Sequence, residues 1–153
     1  PNLATLSGIF GNYNHKIYFF FFFTFFESLC GLVYEYTFND IISLCLYFLI
    51  IFPLLLLIWI SEDVTGTMRN KTHVIFACIA FSCVLLYILY NAIRRKDKIM
   101  YLLLAIGVFL FGKIIKDVLS YYNGLNNYPN LVFEEISLIV LFLLAFMRRG
   151  DYL

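Results

Sequence analysis

Polar residues fall in short clusters along this chain, and five long apolar stretches lie between them. The stretches cover residues 17–34, 41–60, 74–92, 99–119 and 131–147. Apolar side chains occupy every face of each stretch. A lipid-facing barrel strand, which needs alternation over about ten residues, therefore does not fit. A helix does, because it satisfies its own backbone groups in lipid. A spanning helix needs about 20 apolar residues, within a range of about 17–25. Stretches 41–60 and 74–92 meet this without a single charge. Stretches 17–34 and 131–147 lie at the short end of the range. Stretch 99–119 qualifies if Lys113 and Lys116 reach out of the membrane. The pattern predicts an all-α integral membrane protein: one membrane domain over residues 1–153, a bundle of four to five transmembrane helices, and no soluble domain.

Interruptions of the pattern carry the remaining information. Pro53 lies inside 41–60 and predicts a kink, since proline removes one helical hydrogen bond. Glu27 lies inside 17–34, where a carboxylate costs about 2.5–3.5 kcal/mol on insertion scales. It is expected to face protein or water. Thr24, Glu27, Ser28 and Gly31 recur at helical spacing and predict a small, polar packing stripe, with Phe19–Phe23 turned to lipid. Lys113 lies roughly 21 Å along its helix, near the far headgroups. It shares a helix face with Asp117, four residues on. Glu27 and Lys113 are the candidates for a proton or ion path or for a buried ion pair. Glu134 and Glu135 open the last helix, where the macrodipole favours acids. Leu3, Leu6, Ile9 and Phe10 are spaced for a short surface helix, and Trp59 and Tyr101 read as part of an aromatic belt.

Composition agrees and excludes much else. The chain is 63% hydrophobic, 20% aromatic and 14% charged. An average soluble domain is about 45–50% apolar and about 25% charged. With 153 residues, so much apolar surface does not fit in one core. A soluble enzyme, a nucleic-acid-binding domain and a disordered tail are excluded. A net charge of +1 gives no field to attract nucleic acid. Cys30, Cys45, Cys78 and Cys83 sit in apolar runs without CxxC spacing and read as small packing residues, not a disulfide framework. No cleaved signal peptide is expected, since no A-x-A site follows the first apolar run. His15 and His73 lie outside the apolar runs. No cofactor is therefore expected, and axial ligation of a haem least of all. No phosphate loop, nucleophile motif or zinc site occurs in the sequence. Asn70-Lys71-Thr72 matches the N-glycosylation pattern by chance spacing in a short loop.

Arg94, Arg95, Lys96 and Lys98 form the strongest basic cluster. They are read as an orientation signal and a contact for phospholipid headgroups, anionic ones included. If all five stretches span, the basic residues divide five against six between the two sides. If 17–34 does not span, they divide seven against four, which the positive-inside rule favours.

The expected function is that of a non-catalytic membrane subunit of a larger complex, with scaffolding and lipid-binding roles and other membrane subunits as partners. The composition, rich in Phe, Tyr, Ile and Asn, resembles that of organelle-encoded and protist respiratory subunits. That likeness favours a respiratory-chain or ATP-synthase type assembly in the mitochondrial inner membrane, with a prokaryotic cytoplasmic membrane as the alternative location. Two other functions are kept open: a small oligomeric transporter, channel or proton-path component using Glu27, and a small membrane sensor or regulator.

Overall fold

The computed structural model describes residues 16–59, 68–124 and 130–151. They form five helices: α1 (Lys16–Tyr36), α2 (Ile41–Trp59), α3 (Met68–Arg95), α4 (Lys98–Tyr122) and α5 (Val132–Arg149). No strand occurs among the described residues. Helices α1 to α4 are long and apolar enough to cross a membrane. The chain is an all-α integral membrane protein. The possible surface helix near Leu3–Phe10 and the residues around His15 lie outside the described residues.

Helices α1, α3 and α4 outrun at both ends the apolar stretches that predict them. α3 starts six residues before 74–92 and ends three after it. A helix continues through polar side chains as long as its backbone bonds close, so hydropathy marks the buried length and not the helical length. Asn70-Lys71-Thr72 consequently lies in the first turns of α3 and not in a loop.

Helix ends are set by local chemistry. Thr37–Asp40 turn the chain from α1 into α2, with Asn39 in the left-handed region at φ 52°, a conformation asparagine tolerates. Asp40 then accepts the Ser43 amide at 3.4 Å and caps α2. At the end of α3 the Asp97 amide bonds the Ala92 carbonyl at 3.2 Å, and the Lys96 amide bonds that of Ile93 at 3.3 Å. This is a Schellman motif, closed here by a lysine at φ 52°. Asp97 caps α4 through the Ile99 amide at 3.0 Å.

Successive helices run antiparallel. α3 is the central one, packed on α2, α4 and α5, while α1 packs chiefly on α2. Two apolar clusters fill the interior. Tyr47, Ile50, Val84, Tyr87, Ile88 and Met100 lie towards the end where α1 meets α2. Phe81, Leu110, Ile114, Leu138 and Leu141 lie towards the other end.

The expectation that 17–34 is the irregular element is not met. α1 is a regular helix of 21 residues, antiparallel to α2, which puts Lys16 at the opposite end from Arg94–Lys98. α5 is the helix left out of the membrane-length set, because it carries Glu134, Glu135, Arg148 and Arg149 at its ends. Basic residues thus divide five against six, and charge gives no orientation.

The packing stripe on α1 is real but shifted. Ser28 is buried and Gly31 lies against Tyr47, whose hydroxyl donates to the Ser28 carbonyl at 3.2 Å. A Cβ at Gly31 would overlap the Tyr47 ring, with Cζ at 2.8 Å. The four cysteines are free, as expected. However, Cys30 and Cys45 face outwards and only Cys83 is buried, so packing explains one of them.

These contacts set the sign of two glycine substitutions. Alanine in place of a helical glycine gains about 0.5–1 kcal/mol of helix propensity, and overpacking costs about 1–3 kcal/mol. Gly31→Ala is expected to destabilise the protein. Gly112→Ala, where a Cβ meets nothing within 4 Å, is expected to stabilise it. Thermal unfolding of both variants in detergent checks this pair of opposite signs.

Candidate functional site

One stripe of α5 organises the polar chemistry of the bundle. Glu134, Leu138, Leu141, Ala145 and Arg149 are its buried residues. They recur at helical spacing, apolar in the middle and charged at both ends. The span from Glu134 to Arg149 is about 22 Å. Each terminal charge meets a partner on another helix.

At one end Arg149 is 5% exposed and pairs with Glu35 of α1, which is 0% exposed. Nη1 of Arg149 also donates to the Ser43 hydroxyl of α2. Ser43 donates to Glu35 Oε2 at 3.4 Å. The Tyr87 hydroxyl of α3 donates to Glu35 Oε1. Asn91 Nδ2 reaches Ser43 Oγ at 3.3 Å and the Tyr87 carbonyl at 2.9 Å. Four helices therefore meet on one buried carboxylate–guanidinium pair. The Phe38 ring lies under the guanidinium, 4.5 Å from its centroid, a cation–π geometry.

A second layer of charge surrounds this pair. Arg94 pairs with Asp40, and Arg149 Nη2 lies 3.8 Å from the same carboxylate. The Tyr90 hydroxyl donates to Asp40 at 2.9 Å. Burial alone would raise the Asp40 carboxyl. Hydrogen bonds from Tyr90, the Ser43 amide and Arg94 outweigh it and hold the group below its ordinary value. Arg95 donates to the Arg148 and Arg149 carbonyls at 2.7 and 2.6 Å, closing the C-terminus of α5. It also pairs with Asp151. Arg148 pairs with Asp97, and its hydrogen bond holds the Asp97 carboxyl below the usual range. A small cavity of about 140 Å³ lies among Phe38, Asp40, Asn91, Arg94, Arg95 and Arg149.

At the opposite end Lys113 of α4 pairs with Glu134 of α5. Lys113 has Asp117 within electrostatic reach on its own helix, as the spacing implies. Its ammonium closes an interhelical ion pair, one of the two roles read for it, while its side chain stays 52% exposed. Glu134 serves more than the macrodipole: it is buried, and it bolts the start of α5 to α4.

Glu27 stands apart. It is exposed on the outer side of α1 and makes no hydrogen bond or ion pair among the described residues. The buried carboxylate of α1 is Glu35, two turns further along. Thr24, Ser28, Gly31 and Glu35 follow one helical stripe, and Glu27 sits one position beside it. Extending that stripe by one more turn is the sequence signal that points to Glu35. Of the basic cluster, Arg94 and Arg95 hold protein partners. Lys96 and Lys98 are exposed, without an ion pair among the described residues.

No group of three or more metal-ligating side chains occurs among the described residues. What the cluster does chemically is hold charge in a fixed place. No protein family, curated protein or solved structure matches the chain.

Removing one partner of a buried pair leaves an uncompensated charge and costs about 3–5 kcal/mol, while an apolar replacement of both is often neutral. Arg149→Met is expected to destabilise the protein by that amount. Glu35→Leu combined with Arg149→Met is expected to recover most of it. Chemical denaturation of the single and double variants measures the difference.

Proposed function

We propose that this chain is a non-catalytic membrane subunit of a larger complex. The observation that carries the reading is the filled interior between the two polar ends. Ile50, Val84, Ile88, Leu110, Leu138 and Leu141 are buried in the two apolar clusters between those ends. A single copy has an apolar centre there and charged pairs at its ends. Such a chain serves by fixing helices in position rather than by passing an ion through itself.

The outer surface supports the same reading. Phe19, Phe22, Phe23 and Phe26 on α1 are all more than half exposed. These faces suit lipid and neighbouring helices. Lys96 and Lys98, beside the partly exposed Arg94, supply the contact with anionic phospholipid headgroups. The aromatic-rich, organelle-like composition favours an energy-transducing assembly of the respiratory or ATP-synthesising kind, in the mitochondrial inner membrane.

One observation favours a second reading, an oligomeric proton path. Glu27 faces outwards in the middle of α1, where a neighbouring copy could complete a route. The two readings part on one experiment. After mild detergent extraction, a subunit comes away with other membrane polypeptides in fixed stoichiometry. A chain that elutes as a pure homo-oligomer and carries protons into liposomes, with the flux abolished by Glu27→Gln, overturns the subunit reading. Extraction from the native membrane as a lone monomer, with no other polypeptide, overturns both.

A further inference from the structure

Glu27 is the twelfth of the 21 residues of α1, so it lies close to the middle of a helix about 32 Å long. It is exposed at the margin of an outer face that includes Phe19, Phe23, Phe26, Cys30 and Val33. An ionised carboxylate facing hydrocarbon at that depth is costly and calls for a partner. α1 is also the span with the smallest buried share in the bundle.

We infer that the outer face of α1 is the docking surface for a transmembrane helix of a different polypeptide, one that presents a lysine or arginine to Glu27 at mid-membrane depth. This rests on the subunit reading and deepens it. The commitment to a different polypeptide comes from where this chain keeps its cations. Its 11 lysines and arginines are Lys16, Arg69, Lys71, Arg94, Arg95, Lys96, Lys98, Lys113, Lys116, Arg148 and Arg149. Nine lie at helix ends or in connections, and α1 itself carries none beyond Lys16 at its start; Lys113 and Lys116 lie within α4, and Lys113 already holds Glu134. A second copy docked through α1 would set Glu27 beside another Glu27, and two such carboxylates disfavour joint ionisation. A helix with a basic side chain at this level satisfies the charge and covers the phenyl face together.

The test uses the full chain in its native membrane, with a photo-crosslinking amino acid at Phe26 and, separately, at Phe109 on the outer face of α4. The expected product from Phe26 is an adduct with an apolar segment of another polypeptide that holds Lys or Arg within about one turn. Its yield should fall about tenfold with Glu27→Leu. It should fall likewise with Glu27→Lys and return when the partner's basic residue is changed to Glu. Glu27→Leu in the isolated chain should keep wild-type helicity and melting temperature, because Glu27 bonds to nothing within the described residues. A Phe26 adduct insensitive to Glu27→Leu, or to a segment without Lys or Arg, overturns the charge pairing. An adduct with a second copy overturns the choice of a different polypeptide. Protein adducts from Phe109 alone overturn the α1 surface and leave the subunit reading standing. Lipid adducts alone from both positions overturn the subunit reading as well.

Discussion

A buried guanidinium dictates the arrangement of this bundle. Arg149 ends the buried stripe of α5 and cannot shed its charge. It must therefore be met by a carboxylate and by hydrogen-bond acceptors. Glu35 supplies the first, and the Ser43 hydroxyl supplies one of the second. Tyr87 and Asn91 complete the shell around Glu35 and Ser43 from α3. Because those groups come from α1, α2 and α3, one charge fixes the register of four helices. α4 joins through Asp97 and Arg148 at the same end, and through Lys113 and Glu134 at the other. The pair adds little net stability compared with an apolar substitute. Its effect is on register: any other setting of α5 leaves a charge without a partner.

Much of the architecture was legible in hydropathy alone. Five apolar runs gave five helices, because a segment of that length without polar interruption has few alternatives in lipid. Helix ends were less legible, since caps such as Asp40 and Asp97 and the Schellman turn at Lys96 obey local backbone geometry. The placement of α1 was misjudged for a different reason. Counting basic residues treats every Lys and Arg as free charge. In the folded chain Arg94, Arg95, Arg148 and Arg149 are paired with Asp40, Asp151, Asp97 and Glu35.

The polar site was half legible. Glu27 stood out because it interrupts an apolar run, and Glu35 did not because it falls just past the end of one. Charges at segment ends are ordinarily solvated, so only the extension of the Thr24, Ser28 and Gly31 stripe marked Glu35 as buried, and nothing local marked Arg149. Their pairing joins residues 114 positions apart, which no spacing argument reaches. The two carboxylates of α1 thus divide the work. Glu35 holds the bundle together from inside, while Glu27 is turned to whatever lies outside it.

The central claim is that the Arg149–Glu35 pair holds α1 against α5. Pulsed electron spin resonance between labels at Val33 of α1 and Leu143 of α5, both outward-facing, reads that relation directly once the native cysteines are replaced. The account predicts a single narrow distance in the otherwise native chain and a broad or multiple distribution in Arg149→Met. A narrow distribution unchanged by that substitution would contradict it.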